Sequence, residues 1–330
     1  MECIQVHGLV CSPWQTKRGL GAGHRFFGDR SIQIIWSIKK NQTAHLQMKL
    51  APYSVLIRTR NSALDLPEVF QSLEEQTHLP REIVVVDNQS EDQTLELARN
   101  KGAFIIPYPS DKPFSYSHAL NVGMRRAKES PYVLILSAHS PLAQPLAMEE
   151  AVKTTQAHAA AAVITFKRLS QVLPSHRAQV PNGDAIIEYI SWNPKLHFAD
   201  NSCNIIRTVD WQQKPFDESL PSHEDQGWIK SRMGLGRTAL HQPEIYYRYA
   251  NRNFTPEKVA FDCVVSSRLI THEPLWKQLW TRRVKAVMHM VLGNREKARY
   301  NWTIAKHIAA WRKLPTNKLQ YHELVRPASS

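Results

Sequence analysis

The residues best able to do chemistry sit in three short stretches. HEDQGW, His223 to Trp228, places two carboxylates side by side where a helix opens. A carboxylate in that position can reach into a cleft and take a proton. Acids are also favoured at helix N-termini by the dipole alone, so the pattern by itself leaves both readings open. IVVVDNQS ends an apolar run in Asp87, whose carboxylate can accept hydrogen bonds from a ring N–H or a hydroxyl. Asp, Asn and Ser are equally ordinary turn residues. VLILSAHSP runs from Val133 to Pro141 and delivers Ser137 and His139 to the tip of a strand. Ligands collect at the carboxyl ends of strands in open α/β sheets.

The elements that must position these residues are legible from Tyr53 onward. Ser54–Ile57 reads as a strand, and LPEVFQSLEEQT as a helix with Leu66, Val69, Phe70 and Leu73 on one face. Ile83–Val86 is a second strand, QTLELARNKG a helix stopped at Gly102, and AFIIPY a third strand. FSYSHALNVGMRRAKES is a helix and YVLILSAH a fourth strand. Near-continuous Val, Ile and Leu strands alternating with amphipathic helices predict an α/β fold: a mostly parallel sheet with helices on both faces. Beyond it, AMEEAVKTTQAHAAAAV predicts a helix and then a strand into Phe166. Residues 170–200 read as loop or hairpin. SCNIIRT and IYYRYAN read as strands, and two helices follow with apolar and basic faces.

The ordered set SVLIRTRN, IVVVDNQSEDQT, FSYSHALNVGMRRA, LILSAH, ADNSCNIIR and HEDQGW resembles the family 2 glycosyltransferases, over about residues 52–255. The resemblance implies a GT-A fold, a nucleotide-diphosphate sugar donor, and transfer with inversion to a glycan or glycolipid acceptor. It implies Asp225 as the base, with Glu224 beside it, and Arg58, Asn61, Asp87, Asn121 and Ser137 around the nucleotide. His223 and Trp228 become acceptor residues, although a core tryptophan fits the sequence equally well.

SAH departs from the family, which usually has a DxD-like motif there holding a divalent metal against the diphosphate. Mg²⁺ prefers oxygen, whereas Mn²⁺ accepts imidazole more readily. Arg248 stands where the family often has a late metal-binding histidine. Two readings stay open: His139 binds a metal, or it meets the diphosphate directly with Arg248 assisting. The first is preferred, because SAH ends a strand where the family holds its metal. A GT-A relic that binds nucleotide sugars without catalysis is one rival. A sugar nucleotidyltransferase is another, and it would want a glycine-rich loop after the first strand, which RTRNSALDL lacks.

Composition bounds the rest. The chain has 330 residues, 42% of them hydrophobic, and a formal net charge of +13. No apolar run approaches the roughly 18–20 residues that span a bilayer, and the start lacks a secretory pattern. Four cysteines without a CxxC pair argue against a zinc site or a disulfide scaffold and fit a reducing cytoplasm. GLGAGH, Gly19–His24, follows TKR rather than a strand and is not read as a phosphate loop. Residues 1–50 read as an N-terminal extension, 51–255 as the catalytic domain and 256–330 as a helical basic extension. A chain beginning at Met48 is expected to fold. From Pro274 to the end, twelve Lys or Arg face only Glu296 and Glu323. Trp276, Trp280, Trp302 and Trp311 interleave with those cations, as in helices that lie on a cytoplasmic membrane surface. No nucleic-acid motif accompanies the charge.

Overall fold

The computed structural model describes residues 32–35, 49–109, 113–170, 186–194, 196–249, 254–319 and 321–324. Gly19–His24, Cys3, Cys11 and most of the N-terminal extension lie outside the described residues.

Among the described residues nine strands form one sheet, in the order β1-β7-β9-β6-β8-β5-β2-β3-β4. They are β1 (Ile32–Ile35), β2 (Tyr53–Thr59), β3 (Glu82–Asp87), β4 (Phe104–Pro107), β5 (Tyr132–Ser137), β6 (Ala161–Ser170), β7 (Ile186–Tyr189), β8 (Cys203–Arg207) and β9 (Thr238–Tyr249). β5, β2, β3 and β4 are mutually parallel, as their apolar runs predicted. Past β5 the sheet is mixed: β8 enters antiparallel between β5 and β6, β6 pairs parallel with β9, and β7 and β1 follow antiparallel.

Helices cover both faces, and strand alternation feeds them. Val55 and Ile57 point into the core under α1 (Leu66–Glu74) and α4 (Ala147–Ala157). Leu56 points the other way, into the core under α3 (Tyr116–Ala127) and α6 (Glu224–Met233). α2 (Thr94–Asn100) follows β3, and α5 (Thr208–Gln213) follows β8. Gly123 brings α3 against β2 so closely that a Cβ there would overlap the buried Leu56 side chain. Gly123→Ala is therefore expected to destabilise the fold. Overpacking costs about 1–3 kcal/mol, against about 1 kcal/mol gained in helix propensity. A denaturation midpoint higher than that of the wild type would contradict this packing.

The second half departs from the sequence reading in several places. β9 begins at Thr238, seven residues before IYYRYAN opens at Ile245, and its pairing with β6 shifts around Pro243, where a donor is missing. β7 lies within the region read as loop or hairpin. β1 comes from the extension expected to be dispensable, and it adds a strand beside β7.

The C-terminal helices are α7 (Pro256–Val265), α8 (Leu275–Val291), α9 (Arg295–Trp311) and the short α10 (Tyr321–Leu324). α7 falls within the extension read as helical but was not singled out, although Thr255 caps it by accepting from the Lys258 N–H and Pro256 opens it. A π-helical turn, Ser266–Thr271, continues it. These helices have their own core around Phe261, Val264, Ile304 and Ile308. Trp311 belongs to that core, stacked on His307 with centroids 4.6 Å apart, and is not an interfacial residue. Among the described residues no helix is long and apolar enough to cross a membrane.

Candidate active site

β5 and β3 flank β2 on opposite sides, so the loops leaving their carboxyl ends splay apart there. A cavity of about 510 Å³ opens at that point, within the range of small-molecule sites. Arg58, Thr59 and Arg60 enter it from β2, Asn88 from the end of β3, and Ser137 and His139 from β5.

One wall is aromatic. Tyr108, Phe114 and Tyr116 meet ring to ring, tilted in the first pair and edge to face in the second, with centroids 5.2 and 4.9 Å apart. The Tyr108 hydroxyl donates to the Pro113 carbonyl and accepts from the Ser115 N–H, which holds this loop against α3. The Arg58 guanidinium lies 4.9 Å over the Tyr116 ring. The opposite wall comes from the loop Glu218–Pro221 and from Lys258 and Phe261 of α7. Burial works against the Lys258 ammonium, but the Asp262 carboxylate 2.6 Å away outweighs it, so its pKa lies above the usual lysine value. Flat aromatic faces beside three cations suit a ligand that joins a ring to an anionic group. Arg58 Nε and Thr59 Oγ1 are buried and have no hydrogen-bond partner among the described residues.

Behind Arg58 lie the carboxylates. Arg58 donates to the Asn201 carbonyl at 3.2 Å and pairs with Glu224 at 3.5 Å. Asn201 donates through its side chain to Glu224 (3.0 Å) and through its backbone to Asp225 (3.3 Å). Glu224 is buried and Asp225 half-buried at the first turn of α6. Burial, then the negative charges of Glu224 and Asp200, push the Asp225 carboxyl well above the usual carboxylate range. His223, half-buried, holds the left-handed backbone at φ 58° that turns the chain into α6. Its ring meets the Ser222 hydroxyl at 2.9 Å, and burial lowers its pKa.

The other residues expected at the site lie as follows. The Asp87 carboxylate accepts from the Ser90 N–H and hydroxyl, closing the turn, while its neighbour Asn88 reaches the cavity. Asn61 takes φ 47° and ties the β2 and β3 loops together through Ser90 and Glu91. Asn121 lies beneath the wall: its amide donates to the Phe216 carbonyl and Glu218, and accepts from Trp211 and the Phe216 N–H. It positions Glu218. Trp228 is 2% exposed and donates to the Lys214 carbonyl, so it is a core residue that no acceptor ring can stack on. Arg248 points away from the cavity, because side chains alternate along β9. Its neighbours Tyr247 and Tyr249 take the site side, and Arg248 pairs with Glu68 at 2.5 Å beside a separate cavity. The arginine on the site side is Arg168, 3.7 Å over the Tyr249 ring and 3.4 Å from Asp200.

The divalent metal implied by the resemblance finds no ready ligand set. His139 lies edge-on to Tyr249, 4.8 Å between centroids. Among the described residues no group of three His, Cys, Asp or Glu is arranged to hold a metal ion. The nearby carboxylates are engaged: Asp200 by Arg168, Tyr247 and the Ser202 N–H, Glu224 by Arg58 and Asn201, and Asp225 by the N–H groups of Asn201 and Gln226.

Comparison with known proteins places this architecture. No curated protein sequence matches the chain. The mannosyltransferase PcManGT of Pyrobaculum calidifontis, solved with GDP-Man and Mn²⁺, aligns over 85% of this chain and 82% of its own at 17% identity, with a TM-score of 0.54. GalNAc-T7, solved with UDP, GalNAc and Mn²⁺, aligns over 81% of this chain and 59% of its own at 14% identity, with a TM-score of 0.51. Residues 54–212 match the family model "Glycosyl transferase family 2". Residues 54–212, just under half of the chain, thus match a glycosyl transferase family 2 domain, the fold is GT-A, and the chain is a glycosyltransferase.

Proposed function

We propose that this enzyme moves a sugar from a nucleoside-diphosphate donor to a hydroxyl of a glycan or glycolipid, with inversion, in the making of a surface polysaccharide at the cytoplasmic face of the membrane. The observation that carries the reading is the link through Arg58, which lines the cavity and pairs with Glu224 in the cluster holding Asp225. The donor base lies against the aromatic wall. The diphosphate meets Arg58, Arg60 and Lys258. Asp225 takes the acceptor proton as its oxygen attacks the anomeric carbon from the face opposite the leaving group. A single displacement of that kind inverts the centre.

Because the donor set does not fit a preformed metal site, the charge on the departing diphosphate falls to these cations and to His139. Arg248, on the far face, takes no part.

A panel of UDP-, GDP- and dTDP-sugars, scored by thermal shift and by transfer with and without excess EDTA, tests this. We expect one donor to raise the melting temperature and to be consumed, with inverted product and with turnover retained in EDTA. Turnover lost in EDTA and restored by Mn²⁺ would return the diphosphate charge to a metal on His139. Donor binding without transfer to any glycan would favour the noncatalytic reading.

A further inference from the structure

α8 and α9 run as an antiparallel pair. α8 turns Leu279 and Ala286 inward, towards the core that α9 supplies with Ala298, Ile304 and Ile308. Its other side has no cover within the described residues. Trp276, Trp280, Val284, Val287 and Val291 recur at intervals of three and four, which puts them on one stripe. They are 57, 57, 61, 55 and 81% exposed. Exposed Met290 and Leu292 extend the stripe at its end. A monomeric soluble protein rarely leaves a contiguous apolar patch of more than a few hundred Å² in water.

The rim of the stripe is basic. α8 contains no acid, and Lys277 and Arg283 flank the stripe on its two sides. The Arg283 guanidinium sits 5.6 Å over the Trp280 ring. α9 adds Arg295, Lys297 and Arg299 in its first turns against one acid, Glu296. Tryptophan and aliphatic side chains on one face, with lysine and arginine beside them, are the composition of a helix lying in a lipid headgroup layer.

We propose that the α8 stripe is the face by which this enzyme docks on an anionic lipid bilayer, its Trp and Val side chains entering the headgroup region and its rim meeting lipid phosphates. Charge decides between the occupants. A second copy seated on the stripe would set one basic rim against another, whereas anionic lipid neutralises both rim and tail. This deepens the membrane location proposed above and rests on it, and it is measured separately from transfer.

The test is flotation of the full chain with phosphatidylcholine vesicles, with and without phosphatidylglycerol. We expect binding to the anionic vesicles only, weakened by salt and by Lys277→Glu, the latter by roughly tenfold or more. Trp280→Glu together with Val287→Glu should abolish it. Both sites face water, so melting temperature and donor-induced thermal shift should stay at wild-type values. Failure of the wild type to float with anionic vesicles would overturn the proposal while leaving the transfer chemistry untouched. A dimer in sedimentation velocity that the double variant dissolves, without vesicle binding, would assign the stripe to a second copy instead.

Discussion

Asp225→Asn is expected to keep donor binding and to lose transfer, with turnover falling by roughly 10²–10⁴-fold, the usual cost of removing a general base. The amide preserves shape, and its one oxygen can still accept from the Gln226 N–H at the helix start, giving up only the longer contact from the Asn201 N–H, so the first turn of α6 should stand. What it cannot do is take a proton. Burial with Glu224 and Asp200 nearby raises the Asp225 carboxyl, and the sign of the pH dependence follows. The basic form is present above that raised value and is lost as pH falls through it. The acid limb of turnover should therefore lie above the ordinary aspartate range near 4. Initial rates across pH, with donor thermal shifts for both proteins, provide the check. Near-normal turnover in the variant would remove Asp225 from the mechanism.

The largest effect on stability is expected at Asp210, which has no part in the chemistry. Its carboxylate pairs with Arg232 at 2.8 Å and Arg237 at 2.7 Å, joining α5 to α6 and to the start of β9. The Asp210 and Arg232 side chains are each 2% exposed. Asp210→Ala strands the Arg232 guanidinium away from water, while Arg237 is open enough to turn outward. Breaking a buried pair from one side costs about 3–5 kcal/mol, a large part of the roughly 5–15 kcal/mol by which domains are stable. Urea unfolding of the purified variant measures it. A loss under about 1 kcal/mol would show that water reaches Arg232.

How far the sequence could be read depended on whether a signal was local. β2, β3 and β5 carry long Val, Ile and Leu runs, and these with the intervening helices made strand type and parallel pairing visible. β7 is only four residues and β8 five, too short to declare their direction. Asp225 and Glu224 were placed correctly on the first turn of α6, because adjacent acids suit the positive end of a helix dipole. Arg248 was assigned to the wrong side of β9: one residue of phase, set by the pairing with β6, decides the face. Asn121 and Trp228 have side chains of the right type for a binding site, and only tertiary packing shows them satisfied by Phe216, Glu218 and Lys214. Lys258 and Phe261 were invisible as site residues, because nothing local tells that α7 folds back over the end of β2.

The insertion of β8 between β5 and β6 carries a cost in time. β8 is made some seventy residues after β5 begins, and β9, which flanks β6, comes later still. Until β8 arrives, β5 has a bare edge along Val133–Leu136, four consecutive apolar residues of high strand propensity. Pairings so distant in sequence slow the search for the native state. An open hydrophobic strand waiting through that delay is a template for another chain. During synthesis the first four parallel strands emerge as a group with an unsealed flank, so the yield of folded protein should depend on temperature and chain concentration more steeply than the melting temperature alone would indicate.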